Sequence, residues 1–142
     1  MTDPQQTPDE ENDGLVFDSL ERFVAEYVTE IVRRPVDGRY LAWCDEWWRH
    51  PEAIVRFSGM WRAFEYLRRD PALGMSNWWL HHADPHLAML MDTVKGPFAL
   101  CTGPDGHSEF LGPLPHQPAE PGMLDHPAFS VAAEDAPAAA QD

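Results

Sequence analysis

The first sustained hydrophobic pattern of the chain begins near residue 18 and has the period of an α-helix. Its apolar positions follow the i, i+3, i+4, i+7, i+8, i+11 spacing of one helix face: Leu20, Phe23, Val24, Tyr27, Val28 and Ile31. Asp18 followed by Glu21 resembles a capping box, and Pro35 stops the segment because proline cannot continue a helix. The pattern predicts a helix from Asp18 to about Arg33.

A second and longer helical pattern starts at Pro51, since proline is favoured at the first position of a helix. It predicts a helix to about Arg69 with a buried stripe of Ile54, Phe57, Trp61, Phe64 and Leu67. Its arginines are predicted to face outward: Arg56, Arg62, Arg68 and Arg69. A short helical piece is predicted just before it, around Trp43 to Arg49.

The stretch SNWWLHHADPH, which begins at Ser76, predicts two shorter helices that meet at a proline. Ser76 can cap a helix that carries Trp78 and Trp79, and Asp84 can cap the next one. Pro85 would then be the first residue of that second helix. A single continuous helix through the stretch is disfavoured because proline has no backbone N–H to donate.

The chain after these helices is rich in glycine and proline, which favour turns. Within it, FALC and SEFL flank TGPDGH, a pattern that predicts a possible short β-hairpin. The predicted fold is mostly α. It is a small bundle of about four helices over residues 15–112, with an irregular Gly/Pro-rich C-terminal cover. Residues 1–14 and 113–142 are predicted to be disordered tails because they lack apolar periodicity and are acidic or rich in proline and alanine.

Most of the net negative charge lies in the predicted tails rather than in the domain. The net charge is −14, and residues 1–14 and 113–142 each hold five acidic residues and no Lys or Arg. Such acidity makes direct binding to duplex nucleic acid unfavourable. The chain has no long apolar run, no start resembling a signal peptide, and only Cys44 and Cys101 as cysteines. These features predict a cytoplasmic protein with reduced thiols and no membrane association.

Six tryptophans lie between residues 43 and 79, among them two adjacent pairs. Neighbours on a helix point about 100° apart, so one ring of each pair is expected to face the core. The other ring packs on a second element or stays exposed and marks a partner surface. The candidate partner-binding residues are Trp47, Trp48, Trp78, Trp79 and His50. The predicted ligand is a protein partner, with a second copy of the chain in a homo-oligomer as the alternative.

His82 and His86 have the i, i+4 spacing by which two imidazoles of one helix can share a metal, and Asp84 lies between them. No glutamate follows the first histidine, as a His-Glu-x-x-His metalloprotease motif requires. A structural role for His82 is therefore the favoured interpretation. A broader zinc site has suitable ligands but no recognised spacing among Cys44, His50, His82, His86 and Cys101. The predicted cofactor is none, with zinc as the alternative.

No coherent catalytic set is present in the sequence. Cys44 lies beside Asp45 and Glu46, and these carboxylates raise the pKa of a thiol rather than activate it. There is no Gly-rich phosphate loop. We therefore predict no catalytic residues and a non-enzymatic accessory or protein-interaction module. The alternatives are a metal-binding protein or metal-dependent enzyme centred on His82, Asp84 and His86, and a nucleic-acid-associated protein.

Several short motifs together resemble a known family. They are Trp47-Trp48-x-His50-Pro51-Glu52-Ala53, Trp61-Arg62-Ala63, Leu73-Gly74-Met75-Ser76, Trp78-Trp79 and His82-x-Asp84-Pro85-His86, leading to Gly96-Pro97-Phe98. Over about residues 17–101 the chain resembles the domain-of-unknown-function family 4913, an actinobacterial family without an assigned activity. The resemblance implies an accessory protein of a mobile or conjugative element, and it implies no mechanism.

Overall fold

A computed structural model describes residues 14–131, which belong to two compact units, one ending at Leu111 and the other beginning at Gly112. The part of the chain that is described contains helices and turns but no β-strand, which confirms the predicted mostly α fold. The described part of the first unit has three main helices, instead of about four. None of the described helices has the length and apolarity to cross a membrane. What was predicted for residues 1–13 and 132–142 lies outside the described residues.

Helix α1 consists of three consecutive segments: α-helical Leu20–Phe23, π-helical Val24–Val28 and α-helical Thr29–Ile31. Its N-cap is Ser19 rather than the predicted Asp18, and the Ser19 side chain accepts the backbone N–H of Arg22 at 3.1 Å. Asp18 instead accepts the guanidinium of the same arginine at 3.0 Å. The helix is followed by Val32, whose backbone is extended.

The buried face of α1 agrees with the predicted stripe except at its end. Phe23, Val24 and Val28 are buried, whereas Ile31 is 41% exposed. A π-helical segment bonds i to i+5 and holds more residues per turn than an α-helix. The residues that follow it are therefore shifted around the helix axis, which turns Ile31 away from the core.

Helix α2 spans Pro51–Leu67 and begins at the predicted proline. Its buried face is formed by Ala53, Phe57, Met60, Phe64 and Glu65. This face is rotated from the predicted one, because Ile54 is 38% exposed while Trp61 and Leu67 are only partly buried. The helix packs against both α1 and the third helix, and this double contact, rather than the size of the apolar side chains, decides which face is covered.

Helix α3 runs without a break through the proline and has three segments: α-helical Gly74–Trp78, π-helical Trp79–Ala83 and α-helical Asp84–Leu90. The predicted caps are wrong. Ser76 lies inside the first segment, and Asp84 has helical backbone angles of φ −58° and ψ −47°. Pro85 lacks an N–H, and its ring crowds the preceding turn of a regular helix. The π-helical segment directly before it widens that turn, which lets the helix continue.

Gly74 opens α3 where the backbone of α2 comes very close. A Cβ at this position would lie 1.8 Å from the carbonyl oxygen of Leu67, the last residue of α2. Only glycine allows the two helices to follow one another at this distance.

Trp78 occupies the centre of the aromatic core. It is fully buried, and its indole N–H donates a hydrogen bond of 2.8 Å to the backbone carbonyl of Met60. Its ring lies 5.6 Å from Phe64, 5.9 Å from Tyr27 and 6.3 Å from Phe23, with mostly edge-to-face geometry. One side chain of α3 thereby fastens all three helices together.

Glu65 is a buried carboxylate that holds the segment before α1 against α2. Its oxygens accept the backbone N–H groups of Val16 at 2.8 Å and Phe17 at 2.9 Å, and the Nε–H of Arg68 at 2.9 Å. Burial raises the pKa of Glu65, but these three donors outweigh burial and leave the pKa below its ordinary value.

We expect Glu65→Gln to lower the free energy of unfolding at neutral pH by about 1–3 kcal/mol, because a neutral amide replaces a charged acceptor of buried donors. The folded-state pKa is depressed, so the stabilisation is present above the unfolded pKa near 4.5 and is lost as the pH falls through the folded value. Urea unfolding of both proteins at stepwise lower pH measures this. Glu26→Gln, in an exposed ion pair with Arg22, is the matched control. A gap between wild type and Glu65→Gln that does not shrink on acidification contradicts the prediction.

The segment after α3 forms successive turns, so the predicted β-hairpin is wrong. The backbone N–H of Cys101 bonds to the carbonyl of Phe98 at 3.0 Å, and that of Gly106 bonds to Gly103 at 3.1 Å. Ser108 directs its N–H to the sulfur of Cys101 at 3.3 Å rather than to an opposite strand. The described residues of FALC and SEFL therefore show no ladder of backbone hydrogen bonds.

The second unit, described as far as residue 131, contains little regular structure. One 3-10 turn covers Pro127–Phe129, and Gly122 adopts a φ of +89° that suits glycine in the turn after Pro121. Its large apolar side chains are exposed: Leu114, Met123, Leu124, Phe129 and Val131. The disorder predicted for residues 113–142 stays a prediction.

Candidate metal centre

Two sulfur and two nitrogen donors meet beside the start of α2. The four residues are Cys44, His50, Cys101 and His107, and their donor atoms all lie within 4.8 Å of one another. Both cysteines are free and buried, and the His107 side chain is 10% exposed. Among residues 14–131 this is the one group of three or more Cys, His, Asp or Glu side chains whose donor atoms converge in this way.

Local backbone structure positions the first histidine. A 3-10 helix, Trp47–Arg49, ends where the N–H of His50 bonds to the carbonyl of Trp47 at 3.0 Å. Because Pro51 follows, His50 takes an extended conformation with φ −105° and ψ 111°. Its ring then packs edge-on against Phe98, 5.1 Å between centroids, and faces the ring of His107 at 4.8 Å.

Three of the six separations between the donor atoms are close to the edge of a coordination tetrahedron. Cys44 Sγ lies 3.3 Å from His107 Nδ1, and Cys101 Sγ lies 3.4 Å from His50 Nε2 and 3.9 Å from His107 Nδ1. Bonds of about 2.3 Å to sulfur and about 2.05 Å to nitrogen around a tetrahedral metal place S and N about 3.6 Å apart. These three separations are close to that value, and no two donor atoms lie more than 4.8 Å apart. The geometry is therefore compatible with one metal ion held by the four side chains.

The electrostatics of the cluster suit a bound cation. Burial is the main cause that raises the pKa of Cys44 to about 12; Cys101 and Asp45 act in the same direction, and the N–H of Glu46 opposes them. Burial also lowers the pKa of His50, as does His107, while Glu109 opposes this shift. His50 is then neutral and offers the lone pair that a metal requires. A metal ion supplies the positive charge that stabilises a buried thiolate.

The two ring nitrogens of His107 face different surroundings. Its Nδ1 faces the two sulfurs, whereas Nε2 is buried and makes no hydrogen bond. The carboxylate oxygen Oε1 of Glu109 lies 3.4 Å from that Nε2 and accepts from Arg49 Nη1 at 3.3 Å. The side of this imidazole that faces the sulfurs and the side that faces Glu109 are therefore chemically distinct.

The predicted partner-binding residues are divided between core, surface and metal centre. Trp78 is fully buried and Trp47 is 9% exposed, so both rings belong to the core. Trp79 is partly buried, and Trp48 is 51% exposed with the Arg49 guanidinium 5.0 Å above its ring. His50 lies in the cluster of cysteines and histidines.

The residues predicted as a metal site on α3 are not brought together as one donor set. His86 directs Nδ1 to within 3.1 Å of Arg56 Nη1, and a guanidinium beside this nitrogen opposes a metal cation. Burial lowers the pKa of His86, and Arg56 and His82 lower it further. Asp84 is exposed and lies outside the converging group.

The sequence held a signal for the observed cluster. Cys44 and His50 bracket DEWWR, and Cys101 and His107 bracket TGPDG, so the spacing Cys-x5-His occurs twice. The zinc alternative drawn from the sequence includes Cys44, His50 and Cys101 but combines them with the histidines of α3. His107 is missing from it, because TGPDGH resembles a hairpin turn.

Comparison with known proteins supports the family resemblance. The family model of a domain of unknown function, DUF4913, matches residues 17–120. The chain belongs to this family. The DUF4913 region includes all four residues of the cluster and extends past Leu111. No curated protein and no solved structure matches the chain.

Proposed function

We propose that this DUF4913 protein is a non-enzymatic accessory module stabilised by one zinc ion, bound by Cys44, His50, Cys101 and His107. The observation that carries the proposal is the convergence of two sulfur and two imidazole nitrogen donors within 4.8 Å. A Cys2His2 set with tetrahedral spacing is the ligand chemistry of structural zinc sites. Carboxylate-preferring ions such as Mg²⁺ and Ca²⁺ do not suit thiolate ligands.

A structural rather than a catalytic role follows from the number of ligands. Four protein donors fill a tetrahedral zinc ion, whereas catalytic zinc keeps one position open for water or substrate. Both sulfurs are buried, which limits access of solvent to the ion. Structural zinc binding contributes directly to folding energy because the site is not preformed in the unfolded chain.

The ion would connect two parts of the chain that are far apart in sequence. Cys44 and His50 lie directly before α2, whereas Cys101 and His107 lie in the turns that follow α3, and Cys101 is 51 positions from His50. The turns have no ladder of backbone hydrogen bonds to hold them. A metal crosslink would hold these turns in place, as the hydrogen bonds of a strand or helix hold other segments.

The accessory role rests on the surface next to the centre. Trp48 is 51% exposed between the buried Trp47 and the proposed ligand His50, and the Arg49 guanidinium lies over its ring. Aromatic and arginine side chains are the residues most enriched at the energetic centres of protein interfaces. A cytoplasmic protein partner that contacts Trp48 is the proposed ligand, and reducing conditions there keep both thiols free to bind metal.

Elemental analysis tests the metal site. Protein purified without chelator is expected to hold one zinc per chain, and Co²⁺ substitution is expected to give the sulfur-to-cobalt absorption of thiolate ligation. His86→Ala is the matched control, because it removes a histidine of α3 outside the cluster, and it is expected to keep the metal. Wild-type protein without stoichiometric metal, or metal lost in His86→Ala but kept in His107→Ala, contradicts the proposal.

A further inference from the structure

Metal binding through Nδ1 fixes the protonation of the His107 ring. The neutral imidazole carries one proton, and when Nδ1 binds the metal that proton must lie on Nε2. In this structure Nε2 is buried and has no hydrogen-bond partner. A buried N–H without an acceptor is costly, so an acceptor at this position would favour the metal-bound tautomer.

We infer that Glu109 is a positioning residue for the proposed metal centre, in which its carboxylate accepts the Nε2–H of metal-bound His107. The inference rests on the proposed zinc site. Glu109 Oε1 lies 3.4 Å from His107 Nε2, just outside hydrogen-bond geometry. Binding of a cation at Nδ1 makes the opposite N–H a stronger donor, which draws the carboxylate into a charge-assisted hydrogen bond.

Arg49 holds Glu109 in place for this role. The Glu109 side chain is 71% exposed, and an unrestrained surface carboxylate would spend little time beside one imidazole. Arg49 bonds to the same Oε1 at 3.3 Å and is itself held by Glu46, whose carboxylate lies 3.3 Å from Arg49 Nε. Exposed ion pairs of this kind contribute about 0–1 kcal/mol each, which is enough to favour one position of the Glu109 carboxylate but adds little to the stability of the fold.

The two Cys-x5-His segments are connected by an ion pair as well as by their proposed metal ligands. Arg49 belongs to the first segment and directly precedes the ligand His50, whereas Glu109 follows the second segment by two residues. The chain of contacts from Glu46 through Arg49 and Glu109 to His107 crosses between them on the outer side of the centre. It orients His107 from the side opposite to the metal.

Zinc titration of the purified full chain against a chelator of known affinity tests the inference. Glu109→Ala is expected to weaken zinc binding about 10- to 100-fold and to speed zinc release, as removal of such outer ligands does elsewhere. Glu109→Gln keeps an acceptor oxygen without the charge and is expected to fall between alanine and wild type. Glu26→Ala removes another exposed glutamate that is paired with an arginine, Arg22, and is expected to leave the affinity unchanged.

A ring-nitrogen NMR measurement separates positioning from general stability. In the zinc-loaded wild type, the proton on His107 Nε2 is expected to be observable and protected from exchange with water. In zinc-loaded Glu109→Ala this proton is expected to exchange rapidly, while the ring signals of His86 and the circular dichroism stay unchanged. A role of Glu109 in overall folding alone would not move the His107 signal selectively.

The outcomes for the two proposals can be told apart. Absence of zinc from the wild type rejects the metal centre and this inference together. Zinc binding by the wild type with equal affinity and equal Nε2–H protection in Glu109→Ala rejects only the role of Glu109. An equal loss of affinity in Glu109→Ala and Glu26→Ala also rejects it, because the effect would then come from net charge.

Discussion

Cys101→Ser is expected to abolish stoichiometric zinc binding and to remove the stabilisation that zinc gives to the first unit. A serine hydroxyl is a poor zinc ligand, and the three remaining donors do not complete the four-ligand tetrahedral coordination of structural zinc. A ligand that binds only the folded state stabilises it by about 4.1 kcal/mol when its free concentration is 1,000 times the dissociation constant. Thermal and urea unfolding, each with added zinc and with chelator, measure the difference.

Comparison of the metal response separates loss of zinc from loss of packing. Cys101 is 6% exposed, so a polar hydroxyl at this site also costs stability without any metal. The decisive quantity is therefore the stability gained from zinc, which is expected to be large in the wild type and near zero in Cys101→Ser. Chelation of the wild type provides the same comparison without a mutation. An equal gain in both proteins contradicts a metal ligand at Cys101.

The helical part of the fold follows largely from local patterns. The period of apolar residues predicts α1, and the proline at position 51 predicts the start of α2. The exact buried face is less predictable, since it depends on which neighbours a helix packs against. Ile54 and Ile31 are as apolar as the buried residues around them, yet both remain exposed. A π-helical segment and a second neighbouring helix decide these positions, and neither is visible in the pattern of one helix.

The path of α3 shows where a local rule fails. Asp84-Pro85 has the features of a cap and a helix start, and in isolation it would begin a new helix. In the folded chain, Trp78 and Leu87 are both buried in the same core, and a continuous helix places them there. The π-helical segment Trp79–Ala83 resolves the conflict between packing and proline. Packing energy overrides a capping preference of about 1 kcal/mol.

The composition of the Cys/His cluster could be predicted in part, but its assembly could not. Ligand chemistry alone suggests Cys44, His50 and Cys101 as candidates. The partner His107 depends on how the turns after α3 fold back, and turn residues such as Gly103 and Gly106 fit either a hairpin or an irregular loop. The repeated Cys-x5-His spacing is the only local indication that the two halves belong together.

The second large effect on stability is expected at the tryptophan pairs. Trp78 of one pair is buried in the core, whereas Trp48 of the other pair is exposed. We expect Trp78→Ala to lower the free energy of unfolding by roughly 3–5 kcal/mol, the cost of deleting a large buried aromatic side chain. The substitution also leaves the buried carbonyl of Met60 without its 2.8 Å donor. Trp78→Phe keeps most of the volume but lacks the indole N–H, so an intermediate loss is expected.

Trp48→Ala is the matched control, since it deletes the same side chain at a site that is 51% exposed. Its effect on stability is expected to stay within about 0.5 kcal/mol, apart from the lost contact with Arg49. Urea unfolding followed by fluorescence and circular dichroism measures both variants. A loss below about 0.5 kcal/mol in Trp78→Ala, as small as that expected for Trp48→Ala, would contradict the central packing of Trp78. A loss of roughly 3–5 kcal/mol in both variants would instead place Trp48 in the core, and the partner surface proposed beside His50 would then have no exposed tryptophan.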